Sequence, residues 1–211
     1  MMWPLLLPLL AAAASAKITP PPPPPAPSPT TPWPEQFHAV VITNLTSKSG
    51  RLQVIDSYYD WPRGRSVNVI RDQLSAAGEP PLRNVEWANG TSFLFDAASC
   101  WTFHFAVGLL PPDWKKARGA AYLGRGRLDG FDCHVWSNFL FARYYEDVAT
   151  GRPVGWNFNG MERHVLSFEA GAVLPDSGKW QAPAYCFNGS NADAPAPSPV
   201  DQLIRRGSSC S

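Results

Sequence analysis

The chain has 211 residues and a formal net charge of +1 at pH 7, and 12% of its residues are aromatic. This length is enough for one domain with flanking segments. The near-neutral charge gives no electrostatic basis for a nucleic-acid or anionic-membrane partner, so we expect neither. The aromatic content is high enough to build a core and a pocket within it.

The beginning of the chain predicts a secretory signal peptide. Residues 1–16 form an apolar run that ends in a small-x-small cleavage signal, Ala-Ser-Ala. The run is shorter than the ~20 apolar residues of a membrane-spanning helix, and no later stretch is long enough. Three Asn-x-Ser/Thr sequons, at Asn44, Asn89 and Asn188, are candidate N-glycosylation sites. We therefore expect a secreted, extracellular glycoprotein without a transmembrane segment.

Two segments of biased composition flank the part of the chain that can fold. Residues 17–34 are rich in proline, which lacks an amide N–H and fixes φ, so they predict an extended, disordered arm. Residues 188–211 are again of low complexity and predict a disordered tail. A single β-rich domain is expected between them, at residues 35–187.

Short β-rich stretches, separated by turn signals, fill this span. The Asn89-Gly90 pair lies between two apolar stretches, which is the best short hairpin signal in the chain. An aromatic hairpin with a turn at residues 147–153 follows later. The only plausible helix, at residues 113–121, is short. About eight to ten strands at this spacing predict a mainly β fold, an antiparallel sheet curved into a barrel or half-barrel, with one short helix or long loop across it.

The four cysteines form an even set, which in an oxidising compartment favours two disulfide bonds over a metal site or catalysis. No C-x-x-C spacing occurs, so a zinc site is not expected. Three pairings are possible, and the residues alone leave them open. The cysteines are Cys100, Cys133, Cys186 and Cys210.

No catalytic motif stands out. Glycoside chemistry needs two carboxyl groups roughly 5 to 10 Å apart, whereas the acidic residues here lie mostly near arginines at strand ends and turns, where capping and surface pairing explain them. The histidines are scattered, so we expect no metal site, and we expect no cofactor. The acidic residues near the aromatic hairpins are Asp56, Asp60, Asp129, Asp132, Glu146, Asp147 and Glu169.

Aromatic residues on the predicted strands remain as the candidate functional feature. If the sheet curls, one aromatic face lines its concavity. Two interpretations stay open, since these side chains can form a solid core or line a ligand cavity. The candidate cavity residues are Trp101, Phe103, Phe105, Trp136, Phe139, Phe141, Trp156 and Phe158.

Several motifs occur in order along residues 33–187. They include Tyr58-Tyr-Asp-Trp-Pro-x-Gly-Arg65, Val85-Glu-Trp-x-Asn-Gly-Thr-Ser-Phe93 and Trp180-Gln-Ala-Pro-x-Tyr-Cys-Phe187. In these motifs the chain resembles a family of small secreted plant proteins, generally uncharacterised, some of which are labelled as glycosyl-group transferases. The resemblance implies a location in the apoplast or cell wall, and it supplies no catalytic residues.

A second, more remote resemblance rests on the order of a Tyr-x-Asp segment, a cysteine strand, a Val-Trp pair, a turn that ends in Pro-Val and a final cysteine. In this order the chain is similar to the ependymin-related proteins, which are secreted, disulfide-bonded glycoproteins. Their fold resembles the bacterial lipoprotein carriers, in which a curved antiparallel sheet covers an apolar cavity. The resemblance implies a bond between Cys100 and Cys186, which leaves Cys133 and Cys210 to each other.

Two hypotheses of function follow from these observations. The first is a secreted module that binds an apolar, lipid-like ligand or a cell-wall glycan and needs no catalytic group. The alternative is an enzyme that transfers glycosyl groups in the secretory pathway or cell wall. Such an enzyme usually needs a nucleotide-sugar site on a doubly wound α/β sheet, and this chain lacks the helices to build one.

Overall fold

A computed structural model describes most of the predicted domain. The described residues are 29, 31–45, 52–72, 80–106, 108–117, 119–158, 160–175 and 178–187. The predicted signal peptide, most of the proline-rich arm and the tail, which includes Asn188 and Cys210, lie outside them. In the described part of the chain, no helix is both long and apolar enough to cross a membrane.

Eleven antiparallel strands form one open, curved sheet, so the predicted mainly β, curved antiparallel fold is confirmed. The strands are β1 Gln36–Asn44, β2 Leu52–Asp60, β3 Arg65–Asp72, β4 Leu82–Trp87, β5 Thr91–Phe95, β6 Cys100–His104, β7 Ala121–Leu128, β8 Phe131–Ser137, β9 Phe141–Asp147, β10 Pro153–Phe158 and β11 Met161–Ala170. Their order in the sheet is β6-β5-β4-β3-β2-β1-β11-β10-β9-β8-β7.

This order describes two meanders joined at the middle of the sheet. Within the series β1 to β6, consecutive strands pair with each other, and the same holds within the series β7 to β11. The first and last strands then pair with each other, and Phe37 lies opposite Ala170. Neighbouring strands are therefore joined mostly by short turns.

Glycine is required at the predicted hairpin turn between β4 and β5. Gly90 has a φ of 90°, and a Cβ atom there would lie 2.1 Å from the carbonyl oxygen of Phe105. Only glycine combines this positive φ with such a close approach of a neighbouring backbone. The Asn89 side chain accepts a hydrogen bond from the Thr91 amide, which closes the turn at its exposed end.

Both faces of the sheet around β3 to β5 are buried. On one face, here the inner face, Ala39, Val41, Ile55 and Leu94 belong to an apolar cluster. The other face, here the outer face, buries a second set of side chains under the segment at residues 171–187. The outer set comprises Val67, Val85, Phe93, Phe95, Leu174 and Trp180.

A disulfide bond holds the covering segment on the outer face. It joins Cys100, at the start of β6, to Cys186, and the two residues are separated by 86 positions in sequence. Cys133 is buried and has no disulfide partner among the described residues. Because Cys210 lies outside those residues, the pairing of Cys133 with Cys210 stays a prediction.

The connection between β6 and β7 contains the predicted helix only as a single turn. Residues Trp114–Lys116 form a 3₁₀ helix. Asp113 makes no side-chain capping bond at its start, and Gly119 has a φ of 96° shortly after its end. A longer α-helix therefore lacks a stabilised N-terminus and meets a turn conformation at its C-terminal side.

The folded region starts earlier than the predicted boundary at residue 35. Trp33 donates a hydrogen bond from its indole Nε1 to the hydroxyl of Tyr144, at 2.7 Å. Its backbone amide donates to the Pro112 carbonyl, at 2.9 Å. Its ring also contacts those of Phe37, Tyr59 and Trp114. The end of the proline-rich segment is therefore part of the domain.

Candidate ligand-binding cavity

The inner face of the sheet surrounds a cavity of about 240 Å³. Its walls come from β1 to β6, from β9 to β11 and from the loop at residues 108–110. Strands from both meanders contribute because the sheet is curved. The apolar part of the wall includes Phe37, Ile55, Ile70, Leu94, Leu109 and Leu110.

Five of the eight aromatic residues singled out from the sequence line this cavity. They are Phe103, Phe105, Phe141, Trp156 and Phe158. The first two come from β6 and the residue that follows it, and the others come from β9 and β10. Since these strands lie on opposite sides of the sheet centre, curvature brings their aromatic side chains together.

The other three candidates lie outside the cavity wall. Trp101 packs beside the cavity, against the apolar cluster of the inner face. Trp136 is buried behind the cavity wall, in an aromatic cluster with Trp114 and Tyr144 that adjoins the cavity through Phe141. Phe139 is 59% exposed, because it lies in the turn between β8 and β9 rather than on a strand. The prediction that Trp101, Trp136 and Phe139 line the cavity is therefore corrected.

A band of polar side chains, which the sequence interpretation missed, crosses the floor of the cavity on β2 to β5. Its members are Ser57, Ser66, Asn68, Asn84, Glu86 and Ser92. Hydrogen bonds run along the band, since Asn84 Nδ2 donates to Ser92 Oγ at 2.8 Å and Ser66 Oγ donates to Glu86 at 3.4 Å. The band makes the cavity amphipathic, with a polar floor and aromatic walls.

One charged side chain of each sign lines the cavity. Among the described residues of the wall, Glu86 is the only acid and Arg163 the only base. Burial raises the pKa of Glu86, and the positive charge of Arg163 partly offsets this rise. Burial lowers the pKa of Arg163 in turn, with a partial offset from Glu86. The two charges therefore interact electrostatically, although the two side chains form no ion pair.

The loop over one side of the cavity is fixed by a tyrosine. The Tyr59 hydroxyl donates a hydrogen bond to the Leu110 carbonyl, at 2.7 Å. Burial raises the pKa of Tyr59, and the charges of Glu35 and Asp113 add to the rise, so the hydroxyl stays a donor at neutral pH. This bond positions Leu109 and Leu110 as part of the cavity wall.

None of the seven acidic residues noted from the sequence lines the cavity. Burial alone raises the pKa of Asp60, but hydrogen bonds from Gln36, Arg65 and Arg63 outweigh it and hold this pKa below its ordinary value. Asp147 accepts hydrogen bonds within its own turn. Asp129 and Asp132 lie at the exposed end of the β7–β8 hairpin, where they contact His164 and Arg127 respectively.

The remaining titratable groups form no metal centre. In the part of the chain that the structure describes, no three His, Cys, Asp or Glu side chains are grouped so that they could hold a metal ion. The buried ion pair between Lys115 and Glu146 lies beside the aromatic cluster rather than in the cavity wall. The positive charge of Lys115 and the negative charge of Glu146 neutralise each other.

A family model described as a domain of unknown function (DUF8395) matches residues 32–186. The chain therefore belongs to the DUF8395 family. The matched span begins just before Trp33 and ends at Cys186, so the DUF8395 domain includes the cavity, the aromatic cluster around Trp33 and the disulfide bond. No curated protein matches the chain in sequence.

Two solved structures are similar in fold to the DUF8395 domain. One is an uncharacterized conserved protein from Thermus thermophilus, with a TM-score of 0.46 and 12% identity over 71% of this chain and 86% of the other. The second is MucB in complex with MucA(peri), with a TM-score of 0.27 and 12% identity over 72% of this chain and 55% of MucB. Likenesses of this size support no argument about function, and they confirm neither the plant nor the ependymin resemblance.

Proposed function

We propose that the DUF8395 domain is a secreted binding module that takes a small lipid-like ligand into the cavity on its inner face. The observation that carries the proposal is the cavity itself, in which aromatic and aliphatic side chains from both meanders face one space. Small-molecule sites in proteins are concave and mostly apolar, with a few polar groups that orient the ligand. The aromatic walls and the polar floor match this description.

The size of the cavity limits the ligand. An engineered cavity of about 150 Å³ binds benzene, whereas drug-sized ligands occupy about 300 to 1,000 Å³. A volume of about 240 Å³ lies between these values, so we expect a short acyl chain or a single ring system. Removal of about 200 Å² of apolar ligand surface from water contributes about 5 kcal/mol at ~25 cal/mol per Å². This energy can hold a ligand without any catalytic group.

Among the described residues, no carboxyl pair lines the cavity to support the glycosyl-transfer alternative. Asp129 and Asp132 are the two carboxyl groups whose replacement would test such an activity. Both lie at the exposed turn between β7 and β8 and do not line the cavity. A cell-wall glycan fragment is a closer competitor, because sugar rings stack on aromatic side chains and bind polar groups such as those of the floor.

Native mass spectrometry of protein purified from a secretory host tests the proposal. We expect a retained apolar adduct, or one formed on addition of medium-chain lipids, whereas glycan oligosaccharides and nucleotide sugars leave the mass unchanged. Bound oligosaccharide without lipid would contradict the lipid-like ligand. Turnover of a nucleotide sugar that is lost on Asp129→Ala or Asp132→Ala would support the transferase instead.

A further inference from the structure

The cavity wall contains a cation, Arg163, for which the described residues provide no hydrogen bond and no ion pair. No hydrogen bond or ion pair to the described residues holds the Arg163 guanidinium, and its Nε is shielded from solvent without an acceptor. The nearest aromatic contact places the guanidinium carbon 5.6 Å from the Phe158 ring centroid. Arginine is almost always ionised, and the half-buried Arg163 side chain keeps its shielded Nε without an acceptor, which is unfavourable. The described residues therefore give the Arg163 guanidinium no directly bonded anion, although Glu86 acts on it at longer range.

Glu86 does not supply the missing anion. It lies on β4 and Arg163 on β11, and the two side chains form no ion pair, although each charge shifts the pKa of the other group. Ser66 already donates to the Glu86 carboxyl. The space between Arg163 and the polar floor is thus lined by one cation without a bonded anion, by Glu86, which already accepts from Ser66, and by neutral polar groups. A single anionic oxygen group would complement the cation.

We propose that the ligand is an amphiphile with one carboxylate, which binds the Arg163 guanidinium while its apolar body lies against Phe103, Phe105 and Trp156. This inference rests on the proposed function, and it adds the chemical class of the ligand. A carboxylate matches the planar fork of one arginine and brings a single negative charge. A phosphate group would bring up to two charges towards Glu86, so a monoanion fits better.

Three ligands with the same eight-carbon chain and different head groups separate the contribution of the head group to affinity from that of the chain. Octanoate, octan-1-ol and octyl phosphate are titrated into the full chain by calorimetry. Because hydrogen bonds to charged groups contribute about 1.5 to 3 kcal/mol, we expect octanoate to bind at least about 10-fold more tightly than octan-1-ol. Arg163→Met should remove this preference, and Arg163→Lys should retain part of it, since lysine keeps the charge without the fork.

Arg83→Met is the matched control, because Arg83 lies on β4 next to Asn84 but does not line the cavity. It should leave the preference for octanoate unchanged.

Equal binding of octanoate and octan-1-ol to the native chain, or an unchanged preference in folded Arg163→Met, would overturn the inference while lipid binding stands. Tighter binding of octyl phosphate would assign the site to a phosphate head group instead. If no ligand binds, the proposed function fails as well. If Arg163→Met does not fold, the affinities of octanoate and octan-1-ol for the native chain and for Arg163→Lys still test the inference.

Discussion

Lys115→Met should lower the free energy of unfolding by about 3 to 5 kcal/mol at pH 7, because it leaves a buried carboxylate without its partner. Lys115 donates to Glu146, and the two side chains are only 1% and 2% exposed. The pair joins the 3₁₀ turn in the β6–β7 connection to β9. Urea unfolding followed by tryptophan fluorescence measures the difference.

The effect of Lys115→Met should depend on pH. Burial raises the pKa of Glu146 in the folded protein, and without Lys115 this rise is no longer opposed. A carboxyl with a raised folded pKa binds a proton more tightly in the folded state, so the variant loses stability as pH rises above the unfolded value of about 4.3. The deficit relative to the native chain should therefore shrink as pH falls towards that value.

Two further variants check this interpretation. Lys116→Met changes the exposed neighbour in the same turn and should have little effect. The double variant Lys115→Met/Glu146→Leu removes both charges and should recover much of the lost stability. A Lys115→Met deficit below about 1 kcal/mol, or one that grows on acidification, would show that the pair does not act as described.

Removal of the disulfide bond should have an effect of similar size. In Cys100→Ala/Cys186→Ala the unfolded chain loses a cross-link between residues separated by 86 positions, which corresponds to about 4.6 kcal/mol. The covering segment should also open more often, and Trp180 would then leave its contact with the Arg65 guanidinium, whose carbon lies 4.1 Å from the ring centroid. Guanidinium unfolding gives the stability, and amide hydrogen exchange at residues 178–187 gives the local opening.

Cys133→Ala in a Cys210→Ala background, compared with Cys210→Ala alone, is the control for the loss of a buried sulfur, because neither variant can form the predicted Cys133–Cys210 bond. Cys133 is fully buried, so its replacement should cost about 1 kcal/mol through the small cavity that it leaves. A disulfide variant that loses no more stability than this control would contradict a stapling role for the bond. Unchanged hydrogen exchange at residues 178–187 would show that packing alone holds the segment.

The strands were predictable where the turn chemistry is specific. Asn89-Gly90 between apolar stretches gives the β4–β5 hairpin because glycine alone fits the turn. β7 was harder to predict, since Gly124 and Gly126 interrupt its side-chain pattern and glycine is depleted in strands. The position of Trp33 was also missed. A proline-rich composition predicts an extended chain, but it does not show that one aromatic side chain in it packs against Tyr144.

The polar floor could not be inferred from alternation. In β4, Asn84 and Glu86 alternate with Val85 and Trp87, and a sheet with one covered face would place the polar pair in solvent. Here the apolar side faces residues 171–187 across the outer face, so the polar side faces the cavity. Curvature then brings Glu86 and Arg163 into one space from strands that are not neighbours, and local sequence contains no signal of it.

The central claim, that the inner cavity binds an apolar ligand, is tested most directly by filling it. Ser57→Trp places an indole in the polar floor on β2, whereas Phe139→Trp changes an exposed aromatic side chain outside the cavity. Each variant is titrated with N-phenyl-naphthylamine, a neutral probe that fluoresces in apolar surroundings. We predict that Ser57→Trp, folded by circular dichroism, weakens probe binding at least about 10-fold, equivalent to about 1.4 kcal/mol, and that Phe139→Trp matches the native chain. Equal binding by the native chain and Ser57→Trp, or no binding by the native chain, would contradict the claim.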